Sequence, residues 1–268
     1  MHLISYLYGA IPDVVEAYQA LPLNILKADF FRYLILLARG GVYADIDTTA
    51  LKPAMEWLPG GFKASTVGLV VGIEADPDRS DWSDWYSRRI QFCQWTIQSK
   101  PGHPVLREAV ANITVNTLKL KKAGKLSIDQ KNVIEFSGPA VWTDMIFEFF
   151  NNPKYYNRSH QSQDISWKTF TGMKKPKQLG DVVVLPITSF SPGVGQMGAG
   201  ETDDPQAFVF HTFEGEIKTN AVNWRVLVAN FGIGSWKPEN ERHIEPAADR
   251  ERREKEMEEG LGEVAEGW

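Results

Sequence analysis

The chain has 268 residues, 43% hydrophobic and 12% aromatic, enough for one large domain or two small ones with a substantial core. Its formal charge of −5 is uneven: residues 237–268 hold 6 Lys/Arg against 11 Asp/Glu, whereas residues 1–236 hold 23 of each. A neutral body offers no basic surface for nucleic acid. The single cysteine, Cys93, excludes an internal disulfide and a Cys-rich zinc site, and no run of 18 or more apolar residues marks a membrane span.

In chain order, residues 12–21 read as a short helix. Asn24 is placed to cap a longer one. From Ile25 to Arg39 there is no Gly or Pro, and apolar residues at 26, 30, 33, 34 and 37 recur at helical spacing. Gly40 suits the left-handed position after the last turn, and Arg39 suits the negative helix end. Asp29 and Arg32, three apart, share a face. On a helix this apolar, such a pair faces a cleft or a partner group rather than open solvent.

Val42-Tyr-Ala-Asp-Ile-Asp then reads as a short strand whose period-two geometry sets Asp45 and Asp47 on one side. Two carboxylates so close repel unless a cation sits beside them. Oxygen ligands suit Mg²⁺ or Mn²⁺, which complete their shells with water and substrate phosphates. Asp-x-Asp alone is a weak signal, since most instances are surface turns. Helix, Gly-Gly, apolar strand and acidic pair in succession are far more specific.

Thr66 to Ile73 reads as a buried strand with Glu74 at its end, followed by a loop over 76–84. Residues 86–97 pass from loop to strand, where the Gln91 and Gln94 amides serve either sugar hydroxyls or the backbone. Pro101-Gly-His-Pro is a turn, with His103 at the start of an amphipathic helix over 105–120. Ser137-Gly-Pro opens a helix over 140–150; an N-cap or a closely approaching ligand would each explain its small residues. Asp181 to Pro186 is a strand. The Gly-rich run Gly193–Gly200 lacks a following Lys-Ser/Thr, so it is no phosphate-binding P-loop. Ala207 to His211 is an apolar strand ending in a histidine. The acidic stretch 237–268 reads as a disordered tail.

Several segments carry a resemblance: Leu26-Lys-Ala-Asp-Phe-Phe-Arg-Tyr, Gly40-Gly-Val-Tyr-Ala-Asp-Ile-Asp-Thr, Arg89-Ile-Gln-Phe-Cys-Gln-Trp-Thr-Ile, Lys100-Pro-Gly-His-Pro, Ser137-Gly-Pro and Val209-Phe-His-Thr-Phe-Glu-Gly. From about the start to residue 237 the chain resembles glycosyltransferase family 32, and within it the fungal initiation-specific alpha-1,6-mannosyltransferase branch. The resemblance implies an α/β fold of the GT-A type with a Rossmann-like mixed sheet. It also implies GDP-mannose as donor, an N-glycan as acceptor, Mn²⁺ or Mg²⁺ as cofactor, retention of configuration and a Golgi address. Carried over residue by residue, it makes Asp45, Asp47 and Arg32 catalytic. Asp45, Asp47 and His211 become metal ligands, and Asp29, Arg32, Tyr43, Gln94, Ser137 and Gly138 line the donor site.

The same resemblance sets the expected organisation. Residues 1–236 form the catalytic domain, with an insertion over 216–233 between Glu214-Gly and Gly234-Ser-Trp-Lys, and 237–268 form the tail. Only 44 residues precede Asp45, too few for an opening β-α-β unit. The expectation is a chain without the family's first strands and membrane anchor, which makes a non-catalytic remnant one alternative. Tyr43-Ala-Asp-Ile-Asp-Thr-Thr also fits a haloacid-dehalogenase-type phosphohydrolase with Asp45 as nucleophile. That reading ranks lower, because it needs the strand first in the core and a later acidic pair after a strand, whereas Asp203-Asp204 follows a Gly-rich loop.

Overall fold

The computed structural model describes residues 11–212 apart from 59, 85, 129–131, 158 and 160–162. Helix α1 spans Pro12–Ala20 and begins on a proline, where the missing N–H costs nothing. Helix α2 spans Asn24–Arg39. Asn24 is its first residue rather than its cap: Leu23, in extended backbone, takes the cap position and no side chain bonds there. Gly40 ends the helix, its N–H donating to the Leu36 carbonyl at 2.8 Å. Its φ is +64°, and a Cβ would lie 2.7 Å from both Pro101 Cδ and the Ser99 carbonyl. Torsion and space both demand glycine.

The remaining elements follow as β1 (Gly41–Ala44), β2 (Thr48–Ala50), β3 (Leu69–Ala75), β4 (Gln91–Phe92), β5 (Thr96–Ser99), α3 (Pro104–Lys122), α4 (Val133–Phe136), α5 (Pro139–Asn151), β6 (Lys177–Leu179), β7 (Val182–Leu185), α6 (Ile187–Phe190) and β8 (Val209–His211). The main sheet runs β1-β5-β3-β7-β6, with β4 paired to β3. β3 and β7 are parallel and the other neighbours antiparallel, which is the mixed α/β sheet expected. β1, β3 and β7 therefore point the same way. Their carboxyl ends share one edge, the side where ligands gather in open α/β sheets. β2 and β8 form a separate two-stranded ribbon.

The sheet is buried on both faces at its centre. Leu69, Val71, Ile73, Val182 and Val184 join the core shared with the large helices. Val70, Val183 and Leu185 alternate onto the opposite face with Trp57, Trp95 and Phe190, as the period of two requires. Burying each such aliphatic side chain contributes about 1.5–3 kcal/mol.

Three boundaries differ from the sequence reading. The strand expected over 66–73 starts at Leu69 because Ala64–Thr66 form a 3₁₀ turn, and pairing begins where the Gly68 and Leu69 N–H groups both donate to the Asp181 carbonyl. The strand expected over 42–47 stops at Ala44. The 86–97 segment resolves into β4 and β5 on either side of residues 93–95. His103 starts α3 as expected, its Nδ1 accepting the Val105 N–H at 3.3 Å. The proposed insertion 216–233 and the 236/237 boundary lie outside the described residues.

Candidate active site

The β1–β5 ladder continues one bond beyond β1: the Asp45 N–H donates to the Trp95 carbonyl at 2.8 Å. The chain then turns over Ile46 and Asp47. The Thr48 N–H and hydroxyl both donate to the Asp45 carbonyl, at 3.1 and 2.6 Å. A turn, not a strand pleat, thus brings the two carboxylates together. Pairing of β2 with β8 sets Thr48 opposite His211. As a result Asp45, Asp47 and His211 each offer a ligand atom within 4.8 Å of the others.

These three groups fit a divalent cation. Asp47 Oδ1 is buried and has no hydrogen-bond partner among the described residues, a costly state unless a cation satisfies it. It lies 3.5 Å from His211 Nε2. Burial raises the Asp47 carboxyl above its ordinary range. Burial also lowers the His211 imidazole to about 4, against the pull of Asp45, so at neutral pH the ring is uncharged and able to ligate. The ring packs against Trp95, with centroids 4.4 Å apart, which fixes its tilt. Two carboxylates and one imidazole form a mixed oxygen and nitrogen donor set. Such a set can complete its shell with water and substrate oxygens around a divalent cation.

Behind the carboxylates lies a buried polar network. Arg32 is 3% exposed and Asp29 1%. Arg32 Nη2 stands 3.0 Å from Asp29 Oδ1 and 3.3 Å from Asp45 Oδ1, and its Nη1 donates to the Gln94 carbonyl at 3.1 Å. The Tyr43 hydroxyl donates to the same Asp45 Oδ1 at 2.6 Å, and the Arg32 guanidinium lies 5.1 Å from the Tyr43 ring centre. One donated hydrogen bond and one ion pair on the same oxygen restrain the rotation of the Asp45 carboxylate. Burial keeps the Tyr43 phenol protonated as a donor, with Arg32 opposing and Asp45 reinforcing that rise.

Asp29 in turn accepts from the Ser137 hydroxyl at 2.7 Å and from the Gln94 amide at 3.3 Å. Burial pushes its carboxyl up to about 6, while Arg32, Ser137 and Gln94 pull it down and so favour the ionised form. The Tyr33 hydroxyl lies 2.6 Å from Gln94 Oε1, and its ring stacks on Trp142. Ser137 is thus tied to Asp29 rather than capping α5, whose cap position is Gly138. A Cβ on Gly138 would lie 2.7 Å from Ile134 Cα, so the approach of α4 to α5 already accounts for that glycine.

Eight of the residues singled out by sequence therefore meet at or beside one sheet edge, in two tiers, whereas Gly138 is set by helix packing and His103 by its helix start. Asp45, Asp47, His211 and Tyr43 are in front, and Arg32, Asp29, Gln94 and Ser137 are behind. Sequence reasoning missed Trp95, which orients His211 and holds Asp45 through its carbonyl, and Tyr33. Both lie inside the resembling segments, and Tyr33 also falls on the helix's apolar stripe, but residue type alone does not mark a ring face or a carbonyl as part of a site. The phosphohydrolase reading does not fit. Asp45 follows an antiparallel edge strand of the described sheet, and Asp203–Asp204 sit in a turn where Asp204 accepts the Gln206 N–H.

The site's composition and the sheet edge that builds it are those of a glycosyltransferase with an Asp-x-Asp motif. A family model described as "Glycosyltransferase sugar-binding region containing DXD motif" matches residues 1–62. The initiation-specific alpha-1,6-mannosyltransferase of Candida albicans is 53% identical over 234 residues, covering 82% of this chain and 61% of that protein. The Schizosaccharomyces pombe protein of the same name is 48% identical, covering 78% and 51%. The Saccharomyces cerevisiae one is 36% identical, covering 81% and 68%. The chain belongs to glycosyltransferase family 32, alongside these fungal proteins. It spans 61% and 51% of the length of the first two. No described helix is long and apolar enough to cross a membrane.

Proposed function

We propose that the chain carries the metal- and donor-binding part of a retaining mannosyltransferase. It would move mannose from GDP-mannose to an N-glycan in alpha-1,6 linkage, in the Golgi. The observation that carries this reading is the convergence of Asp45, Asp47 and His211 within 4.8 Å, in a chain of this family. Bound there, Mn²⁺ (or Mg²⁺) would supply Lewis-acid charge against the diphosphate leaving group. Asp45 and Asp47 would hold it through carboxylate oxygens and His211 through an imidazole nitrogen. Tyr43 and Arg32 set the angle of Asp45. Arg32 also adds a fixed positive charge that relieves repulsion between the carboxylates.

In this reading Asp29, Gln94 and Ser137 act by holding Arg32. During transfer the bond from mannose C1 to the GDP oxygen breaks, and a bond from C1 to the acceptor oxygen forms on the same face. The acceptor's hydroxyl proton passes to the departing phosphate oxygen, so no dedicated protein base is needed.

Incubation of the full chain with GDP-mannose, Mn²⁺ and a high-mannose acceptor tests the reading. Expected is mannosyl transfer that chelation abolishes and that Asp47→Asn lowers roughly a hundredfold or more. Unchanged transfer in that variant would sink the metal assignment. Manganese binding without any transfer would favour the non-catalytic remnant.

A further inference from the structure

A second recess opens along the same sheet edge. Asp78, Arg79, Ser80, Trp82, Arg89 and Trp167 line an open cleft of about 440 Å³. β1 and β3 both run antiparallel to β5, so Asp45, just past β1, and Asp76, just past β3, emerge on one side. Two inter-strand spacings separate those strands, on the order of 10 Å. Arg89 precedes Gln94 of the Arg32 network by five residues, which limits their separation to about 17 Å.

The cleft is held in shape from below. Asp76, 8% exposed, accepts from Arg89 Nη1 at 3.0 Å, the Thr171 hydroxyl at 2.8 Å and the Gly172 N–H at 2.6 Å. The Arg89 guanidinium lies 4.5 Å from the centre of the Trp167 ring. Trp82 begins a 3₁₀ turn, Trp82–Asp84. Arg89 is paired with Asp76 and, at 4.0 Å, with the exposed Asp78, and Arg79 with Asp81; the Lys168 ammonium lies 5.8 Å from the centre of the Trp167 ring.

Charge decides what such a cleft can hold. A diphosphate calls for surplus cations or a cradle of backbone N–H groups. Here both lining arginines have carboxylate partners, so the cleft offers no arginine without a counter-charge. Two indoles beside paired donors and acceptors suit a neutral polyhydroxylated ring instead. Its C–H face can lie on an aromatic face while its hydroxyls reach the Arg and Asp groups.

We propose that this cleft is a subsite for neutral hexose units of the acceptor glycan, engaging sugars near the one that receives mannose. Its place in the reaction rests on the transfer reading above. Saccharide binding needs no turnover, so the two readings fail separately.

Calorimetric titration of the full chain with a neutral high-mannose oligosaccharide, and separately with GDP plus Mn²⁺, provides the test. Expected is oligosaccharide binding that weakens about tenfold in Trp82→Ala, roughly 1.4 kcal/mol. A smaller loss is expected in Asp78→Asn, a rim substitution too exposed to unfold the chain. The affinity for GDP and Mn²⁺ should change less than the oligosaccharide's in both variants. No oligosaccharide binding, or binding unaltered by both substitutions, overturns the subsite. So does an equal loss of GDP affinity, which would assign the cleft to the donor. Oligosaccharide binding with the expected losses but no mannosyl transfer supports the subsite while removing the transfer reading.

Discussion

Arg32 and Arg88 each bridge two carboxylates, and the exposed one has the better geometry. Arg88 meets Asp144 through Nε and Nη2 at 2.7 and 2.6 Å and Glu135 through Nη1 and Nη2 at 3.0 Å each. Arg32 meets Asp29 and Asp45 at 3.0 and 3.3 Å. Yet Arg88 is 29% exposed, with partners at 48% and 46%, whereas Arg32 and Asp29 are out of water. Water screens the first set and competes for each of its bonds. In the second, removing one partner strands a buried charge. Burial, not bond length, decides which arginine the molecule depends on.

The largest effect should follow Arg32→Met. It leaves Asp29 uncompensated, at an expected cost of about 3–5 kcal/mol in chemical denaturation. The loss should ease as pH falls, because a protonated Asp29 needs no counter-cation. An equal loss at pH 5 and pH 8 would contradict the buried-charge account.

A middle effect belongs to Glu74, near the carboxyl end of β3, whose Oε2 is buried without a hydrogen-bond partner among the described residues. Burial raises its carboxyl to about 8, with the Gln91 hydrogen bond and Arg32 opposing. A raised carboxyl contributes stability that is complete below its unfolded value, near 4.5, and is lost as pH rises through about 8. Melting curves of wild type and Glu74→Gln should therefore diverge across that window in favour of the variant, by a few °C, on the order of 1 kcal/mol. Parallel curves from pH 4 to 9 would show that Glu74 is not buried as a neutral acid. The smallest effect is expected for Arg88→Met, about 0–1 kcal/mol and shrinking with added salt. A loss matching that of Arg32→Met would erase the contrast between the two clusters.

How much of this was legible in sequence depended on distance along the chain. Asp45 and Asp47 are read easily because helix, glycine corner and acidic pair are contiguous. Their closeness nonetheless comes from a turn rather than from the strand pleat that period-two spacing predicts. Strand periodicity cannot foresee that the Thr48 N–H closes a turn on the Asp45 carbonyl. Asp29 and Arg32 betrayed themselves as charges on an apolar helix. Which carboxylate the guanidinium would also reach depended on β1 folding back beside α2. His211 came only through family resemblance, since a strand-end histidine is ordinarily structural. Trp95 stayed invisible because its contribution is a carbonyl and a ring face, neither of which leaves a pattern in residue types. β3 began late because Asp181, far along the chain, decides where its ladder starts.

The corner at Gly40 also bears on how the gene can vary. With the end of α2 fixed against Pro101 and Ser99, the segment from Gly40 to Asp45 acts as a ruler between the arginine-bearing helix and the acidic turn. Adding or deleting one residue there would turn every β1 side chain to the opposite face and part Tyr43 from Asp45. Length polymorphism should therefore be purged from this short stretch even where substitutions on its solvent side are accepted.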